Sequence, residues 1–304
     1  MTSLSLLSHF HSVYFRKPDM DTLLAAALAG VSLQNTIICV TGDAPSAALN
    51  NPEALCLECG GSGQPFLLNF DHHGTAMPLP PACMQVWNMV YKSINDSTDQ
   101  KYLAELVSYV SFLDTAGQFG CKPFAENTSI NLSSLISGIL LISQDRITSF
   151  QVALSALQTI IGERVVSWNM YEALQRHPEW QVYFSEKQRM ERQLKQRAGA
   201  IVPFETSMGQ GLALLAQECG VHGFLRGLGA TVSLASKSLE SGIGQRYMHS
   251  ISVSDISQEW LREKRDLLNA VEGGWGGPSG GTIIASAFEG SFLSQQEVIC
   301  ILKR

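Results

Sequence analysis

The chain has 304 residues, of which 45% are hydrophobic and 16% charged, and it carries a formal net charge of −6. That length is enough for two domains of ordinary size, and that balance describes a well-packed globular protein rather than a disordered one. A net negative chain is poorly suited to holding a long polyanion, because phosphate contacts need clustered Lys and Arg; long nucleic acid is therefore disfavoured as a partner.

No apolar run approaches the roughly 20 residues needed to span a bilayer, so no membrane association is expected. The first ten residues lack the basic segment and cleavage site of a signal peptide. Seven cysteines, scattered and odd in number, fit reduced thiols in a cytoplasm better than a disulfide framework. Cys56 and Cys59 form a CxxC without a second pair, and they read as packing residues of a strand.

In chain order, residues 2–10 read as a short amphipathic helix with Thr2 or Ser3 as its cap. Residues 12–15 form an apolar run right for a buried strand, which Pro18 must end. Asp19 and Asp21 then precede an Ala/Leu helix over 22–30 with Gly30 as its stop. One acidic residue there would be a cap, and two are more than a cap needs. A second strand is expected over 36–40, a connector over 43–52, and apolar runs over 54–57 and 66–70. The first of these runs ends at Glu58 before Gly60-Gly61, and the second delivers Asp71, His72 and His73.

This alternation of strand and helix predicts an α/β fold with a doubly wound, mostly parallel sheet and helices on both faces. Ligands of such sheets bind beyond the carboxyl ends of the strands, where Asp19, Asp21, Glu58 and His72 all fall. Carboxylates and imidazoles brought together there suit a divalent cation of the manganese or zinc kind.

A helix over 82–94 should present Met84, Trp87, Val90 and Tyr91 on one face. Another over 99–112 leads to Asp114, a carboxylate that the helix dipole disfavours at that end and a metal would explain. Residues 129–170 read as two apolar core helices. The polar stretch 179–197 reads as a solvated helix between two domains, with only a weak basic edge. The expected division is 1–178, a helical linker over 179–198, and a smaller α/β domain over 199–304. There, strands are expected over 212–216, 230–235 and 247–253 and a helix over 257–270. The loop after it holds Gly273, Gly274, Trp275, Gly276, Gly277, Pro278, Ser279, Gly280 and Gly281. So dense a run of glycine lets backbone N–H groups approach an anion, and a helix starting after it would add its dipole. It matches neither the P-loop nor the dinucleotide fingerprint.

Taken together, Pro18-Asp19-x-Asp21, a carboxylate before Gly-Gly, Asp71-His72-His73 and Asp114 resemble the four motifs of the DHH phosphoesterase superfamily. The glycine loop, after a strand carrying Ser250-Ile-Ser252, resembles the second-domain signature of the DHHA1 branch, and the likeness covers nearly the whole chain. The branch includes single-strand exonucleases, oligoribonucleotide and pAp phosphatases, and cyclic-dinucleotide phosphodiesterases. The resemblance implies one or two manganese ions, with magnesium or another divalent ion as the alternative. Asp19 and Glu58 would serve the first, and Asp21, Glu58, His72 and Asp114 the second, with Glu58 bridging. His73 would contact the substrate phosphate and Asp71 would orient a neighbouring imidazole. The chemistry implied is two-metal hydrolysis of a phosphodiester or phosphomonoester in a small nucleotide, short oligonucleotide or polyphosphate.

Three positions depart from that pattern. The family has a His three residues before the Pro, where this chain has Phe15; its bridging carboxylate is usually Asp, where this chain has Glu58; and its loop carries a His that is missing here. His9 or His11 is a candidate replacement for the first, and Arg246, His249 or Lys237 for the last. These departures leave a second reading open: a DHH-fold protein that binds a nucleotide or partner without turnover. A pyrophosphatase-like activity fits less well, because the C-terminal part looks like the glycine-loop type. A homodimer is compatible with either reading.

Overall fold

A computed structural model describes residue 7 and residues 10–73, 79–115, 119–121, 130–143, 145–165, 170–239, 245–253, 258–277, 282–287 and 289–304. The helix expected over 2–10, including His9, lies almost wholly outside the described residues. The chain divides into two compact units, Met1–Lys187 and Gln188–Arg304.

In the first unit, β1 (Ser12–Phe15), α1 (Met20–Ala29), β2 (Thr36–Cys39), the single-turn α2 (Ser46–Leu49), β3 (Ala54–Leu57) and β4 (Asn69–Phe70) follow in order. The strands form one all-parallel sheet in the order β2-β1-β3-β4. β4 is shorter than the apolar run 66–70: Pro65–Leu67 makes a 3-10 turn, and Leu68 takes a left-handed conformation (φ 58°) before pairing starts. Alternation along the strands sorts the side chains onto two faces. Val13, Phe15, Leu55 and Leu57 enter the large core, whereas Ala54, Cys56 and Cys59 join Ala44 and Ala48 in a small-residue cluster with Tyr14. The CxxC cysteines thus pack as compact apolar groups.

Six helices complete this unit or leave it: α3 (Ala82–Val90), α4 (Ser97–Asp114), α5 (Leu132–Ile142), α6 (Arg146–Gly162), α7 (Met170–Arg176) and α8 (Gln181–Gln196). Asp96, Asn131 and Asp145 cap α4, α5 and α6 by accepting backbone N–H bonds in the first turn. α1 packs against α3, α4, α6 and β3, and every residue of it from Asp21 to Ala29 is buried. A helix apolar all round is stable only in such a setting. The division between units falls inside α8. No described helix is long and apolar enough to cross a membrane.

The second unit contains β5 (Val202–Thr206), β6 (Gly209–Leu215), α9 (Val221–Gly227), β7 (Val232–Leu239), β8 (Arg246–Val253), α10 (Gln258–Val271), β9 (Ile283–Ala285) and α11 (Gln295–Leu302). Its sheet runs β5-β6-β7-β8-β9, parallel only between β6 and β7. The segment after the glycine loop is a strand rather than a helix, because Ile283 and Ile284 suit a pleated edge beside β8. No helix dipole therefore follows the loop. Val232, Leu234, Ile251 and Val253 pack under Trp260 and Leu268 of α10 and Val298 and Leu302 of α11.

The opposite face of β7 and β8 is polar at Ser233, Ser250 and Ser252. His222 of α9 lies across it, with Nδ1 2.7 Å from Ser233 Oγ and Nε2 2.7 Å from Ser250 Oγ. Burial, reinforced by Arg226, pushes the His222 imidazole down from 6.5 to about 4. The unfolded chain therefore binds the extra proton first as the pH falls. Stability contributed by the neutral ring is complete above about pH 6.5 and is lost between 6.5 and 4, to at most about 3 kcal/mol. Denaturant titrations across that range should show the loss, and His222→Gln should flatten it.

Candidate metal centre

The strands of the first sheet end in line. Phe15 pairs with both Cys39 and Leu57, and Leu57 pairs with Phe70. From β1 the chain turns outward to β2 on one side and later returns to β3 on the other, so the reversal of strand order lies between β1 and β3. A crevice opens at such a point, outside the carboxyl ends. Asp21 in the first turn of α1 and Glu58, the residue after β3, flank it. Asp71, His72 and His73 follow β4, and Asp114 is the last residue of α4.

Glu58 holds a left-handed backbone (φ 54°), uncommon for a residue with a side chain, and its side chain is almost fully buried. Its Oε2 lies 2.8 Å from His73 Nδ1 and 3.4 Å from His72 Nε2. His72 Nε2 also lies 3.4 Å from Asp114 Oδ2. The two oxygens of Asp21 accept the backbone N–H groups of Ala82 and Cys83, each at 2.8 Å, at the N-terminus of α3. Asp71 accepts from Gly60 N–H at 2.7 Å and from His73 N–H at 2.8 Å, and its Oδ1 lies 2.9 Å from His73 Nδ1.

Two donor sets result. Glu58, His72 and His73 form one, and Asp21, His72 and Asp114 the other, with one donor atom from each member within 4.8 Å of the rest. His72 belongs to both. Asp19 belongs to neither; it caps α1, accepting from Thr22 N–H at 3.1 Å. Phe15 is fully buried and stacks on Phe150 with ring centroids 4.5 Å apart. His11, exposed, precedes β1 and so stands at the opposite end of that strand.

Charge crowding shows in the titration of these groups. Burial first, then Glu58 and Asp114, raise Asp21 well above the ordinary carboxylate range. Burial raises Asp114 to about 6, opposed by His72 and reinforced by Asp19 and Glu58. Asp19 is raised by burial and then by Glu58. Burial alone would lower His73, but its bonds to Asp71 and Glu58 prevail and lift it to about 10. His72 is likewise raised, by Glu58 and Asp114 against burial. Glu58 and Asp71 are held low against burial by their imidazole partners, and Asp71 also by the N–H of Gly60.

A divalent ion fits this donor set. Glu58 Oε1 is buried with no hydrogen-bond partner among the described residues, a costly arrangement unless a ligand satisfies it. Both donor sets offer only carboxylate oxygen and imidazole nitrogen, which suit manganese, magnesium or zinc rather than a thiolate-seeking metal.

Some supports of the site escaped the sequence reading. The N-terminus of α3 holds Asp21, and buried Gln85 donates to the carbonyls of Asp71 at 3.2 Å and Pro80 at 2.8 Å, tying the end of β4 to the start of α3. A Gln in an otherwise apolar helix face was the available signal.

In the second unit, Trp275 N–H and C=O are both held by the Asn269 side chain, and Gly276 exchanges backbone bonds with Ala285. A Cβ on Gly277 would come within 2.3 Å of the Ile283 carbonyl oxygen, so glycine there permits close approach to β9. Gly274 has φ 100°, which favours glycine, and Gly273 has open space around it. Ser279 and Gly280 lie outside the described residues. Arg246 sits over the Phe292 ring at 4.1 Å and donates to the Glu289 carbonyl. His249 is buried, with Nδ1 2.9 Å from Ser236 Oγ and Nε2 2.7 Å from the Leu293 carbonyl, so both ring nitrogens are occupied.

The fold is similar to that of a solved phosphodiesterase. That protein, the pGpG-specific phosphodiesterase PggH from Vibrio cholerae, aligns over 92% of this chain and 94% of its own, with a TM-score of 0.52 and 17% identity. At that identity the likeness speaks for the two-unit α/β fold. Neither protein-family models nor curated proteins gave a match.

Asp21 caps α3 and also belongs to the second donor set, and experiment separates the two. Asp21→Asn keeps one acceptor but turns an amide toward an N–H, and should cost the metal-free protein about 1–3 kcal/mol in a denaturant melt. It should also abolish the stabilisation that added manganese gives the unmutated chain.

Proposed function

We propose that the chain is a metal-dependent phosphoesterase of the DHH type that hydrolyses a phosphodiester or phosphomonoester of a small nucleotide in the cytoplasm. The observation that carries this reading is the pair of donor sets sharing His72 at the sheet's crevice. In support, the one solved structure named above is described as specific for pGpG, itself a small nucleotide, and from it we extend only the substrate class. The proposed domains are 1–178 for the metal-binding part, 179–198 for the linker and 199–304 for a DHHA1-like substrate-binding part.

Asp21, His72 and Asp114 would hold a manganese ion, and Glu58 would turn its unsatisfied oxygen to the same charge. Bound there, a divalent cation supplies neutralisation of phosphoryl oxygens and acidity for a water. Asp71 and Glu58 lift His73 to about 10 in the metal-free chain, and its side chain, 30% exposed, would present an N–H donor to a phosphate oxygen. Asp71 holds that ring by Nδ1 and so fixes which edge faces outward.

A second reading, binding without turnover, is favoured by two observations. Phe15 fills the place of a ligand with a stacked ring, and Asp19 serves as a cap outside both donor sets. Both point to a single firmly held ion rather than two. Elemental analysis after dialysis against manganese should therefore give one ion per chain. With that ion, turnover of bis-p-nitrophenyl phosphate should appear and fall at least about 100-fold in His72→Ala and Asp114→Ala. Metal uptake without turnover of this or any small nucleotide would move the assignment to the binding reading. No uptake at all would remove both.

A further inference from the structure

The second unit contains a positive group that nothing described balances. Arg226 on α9 donates from Nη2 to Ser252 Oγ, and it has no carboxylate partner among the described residues. Three elements surround it, with the sequences VHGFLRG, VSLASKSL and RYMHSISV for α9, β7 and β8, and none contains Asp or Glu. Arg164 pairs with Asp99, Arg176 with Glu163 and Arg197 with Glu218, whereas Arg146 and Arg246 donate to backbone carbonyls.

The hydroxyls beside Arg226 are oriented by one proton relay. Ser233 Oγ donates to the Ser252 carbonyl at 3.2 Å, so it must accept from His222 Nδ1–H at 2.7 Å. The neutral ring then accepts at Nε2 from the Ser250 hydroxyl at 2.7 Å. Ser252 Oγ, already an acceptor from Arg226, has no acceptor for its own proton among the described residues. Ser233 and Ser252 are fully buried, whereas Ser250 and His222 are partly exposed and Arg226 opens to solvent. The cluster is thus closed beneath and open at the guanidinium. Burial also depresses the Arg226 pKa, the mark of a cation short of counter-charge.

We propose that Arg226, held by Ser252 and backed by His222 and Ser250, forms an anion site for a phosphate group, free or as the terminal monoester of a nucleotide. A guanidinium offers a phosphate two parallel N–H donors, and Ser252, fully buried beneath it, holds the Arg226 head group in place. The site needs no metal and no turnover, so it stands or falls apart from the phosphoesterase reading. It also differs from the glycine loop, whose Trp275 and Gly276 N–H groups are engaged within the fold.

The test uses the full chain stripped of metal by a chelator, titrated by calorimetry with inorganic phosphate, adenosine 5′-monophosphate and adenosine. Saturable binding of phosphate or the monophosphate, with none by adenosine, is the expected result. Equal affinities identify the free anion as sufficient, and a tighter monophosphate identifies the ester. Arg226→Gln should weaken binding at least about tenfold, or about 1.4 kcal/mol, with Arg226→Lys in between. Arg265→Gln, at an exposed arginine of α10 paired with its neighbour Asp266, should change nothing. If Arg226→Gln does not fold, the His222 ring resonances of the unmutated protein carry the test, since they should move with the same midpoint as the heat. No binding at millimolar phosphate, equal binding by Arg226→Gln, or unmoved His222 resonances overturns the proposal. Turnover measured with metal on the same preparation reports separately on the phosphoesterase reading.

Discussion

Too many carboxylates share one buried crevice, and the rest of the first unit is arranged around that. Asp21 and Glu58 are nearly inaccessible, Asp114 stands 3.4 Å from the imidazole they share, and each raises or is raised by the others. Burying like charges together is costly unless positive charge joins them. Two imidazoles supply part of it, and His73 is the stronger part because Asp71 and Glu58 both hold its proton. The remainder is missing from the polypeptide: Glu58 Oε1 has nothing to bond and Asp21 is pushed toward protonation. A cation removes both costs at once.

The fold keeps these groups from escaping. Asp21 cannot turn away without uncapping α3, whose first two N–H groups it holds, and α1 cannot shift because every residue after Met20 is buried. Glu58 is aimed by a left-handed turn placed directly after a strand buried at every position. Such a backbone costs of order 1–3 kcal/mol and persists where the surroundings impose it. Parallel pairing on both sides of β3 imposes it here.

The crevice was legible because the strand–helix alternation and the polar residues at strand ends point the same way. That reading placed Asp19, Asp21, Glu58 and His72 together, with Asp114 added from its helix end and the family resemblance; Asp19 instead caps α1 outside both donor sets. Several elements were not legible, for identifiable reasons. β5 contains Pro203, which argues against a strand except at an edge, and it is an edge strand. α9 has two glycines in seven residues, a poor helix by propensity, held by packing on β6 and β7. β9 is too short to show a period. α11 did carry a signal, the Ser294–Glu297 capping box, and could have been found from it. Cys83 and Ala82 could not be linked to Asp21 from sequence, since the link depends on where α3 begins in space.

The glycine loop shows how one composition serves two purposes. Dense glycine reads as an anion grip, yet Asn269 clamps Trp275 and the absent Cβ of Gly277 lets the chain approach β9. Packing alone accounts for glycine at that position, so the loop need not be where an anion is recognised. The acid-free stretch of α9, β7 and β8 presents donors that packing does not require. A core serine or arginine would be as well satisfied beside a carboxylate, and none is described there. The two units therefore carry imbalances of opposite sign, a surplus of acceptors in the first and of donors in the second. Each imbalance stands within its own unit: a cation answers the carboxylates of the first, and an anion the guanidinium of the second.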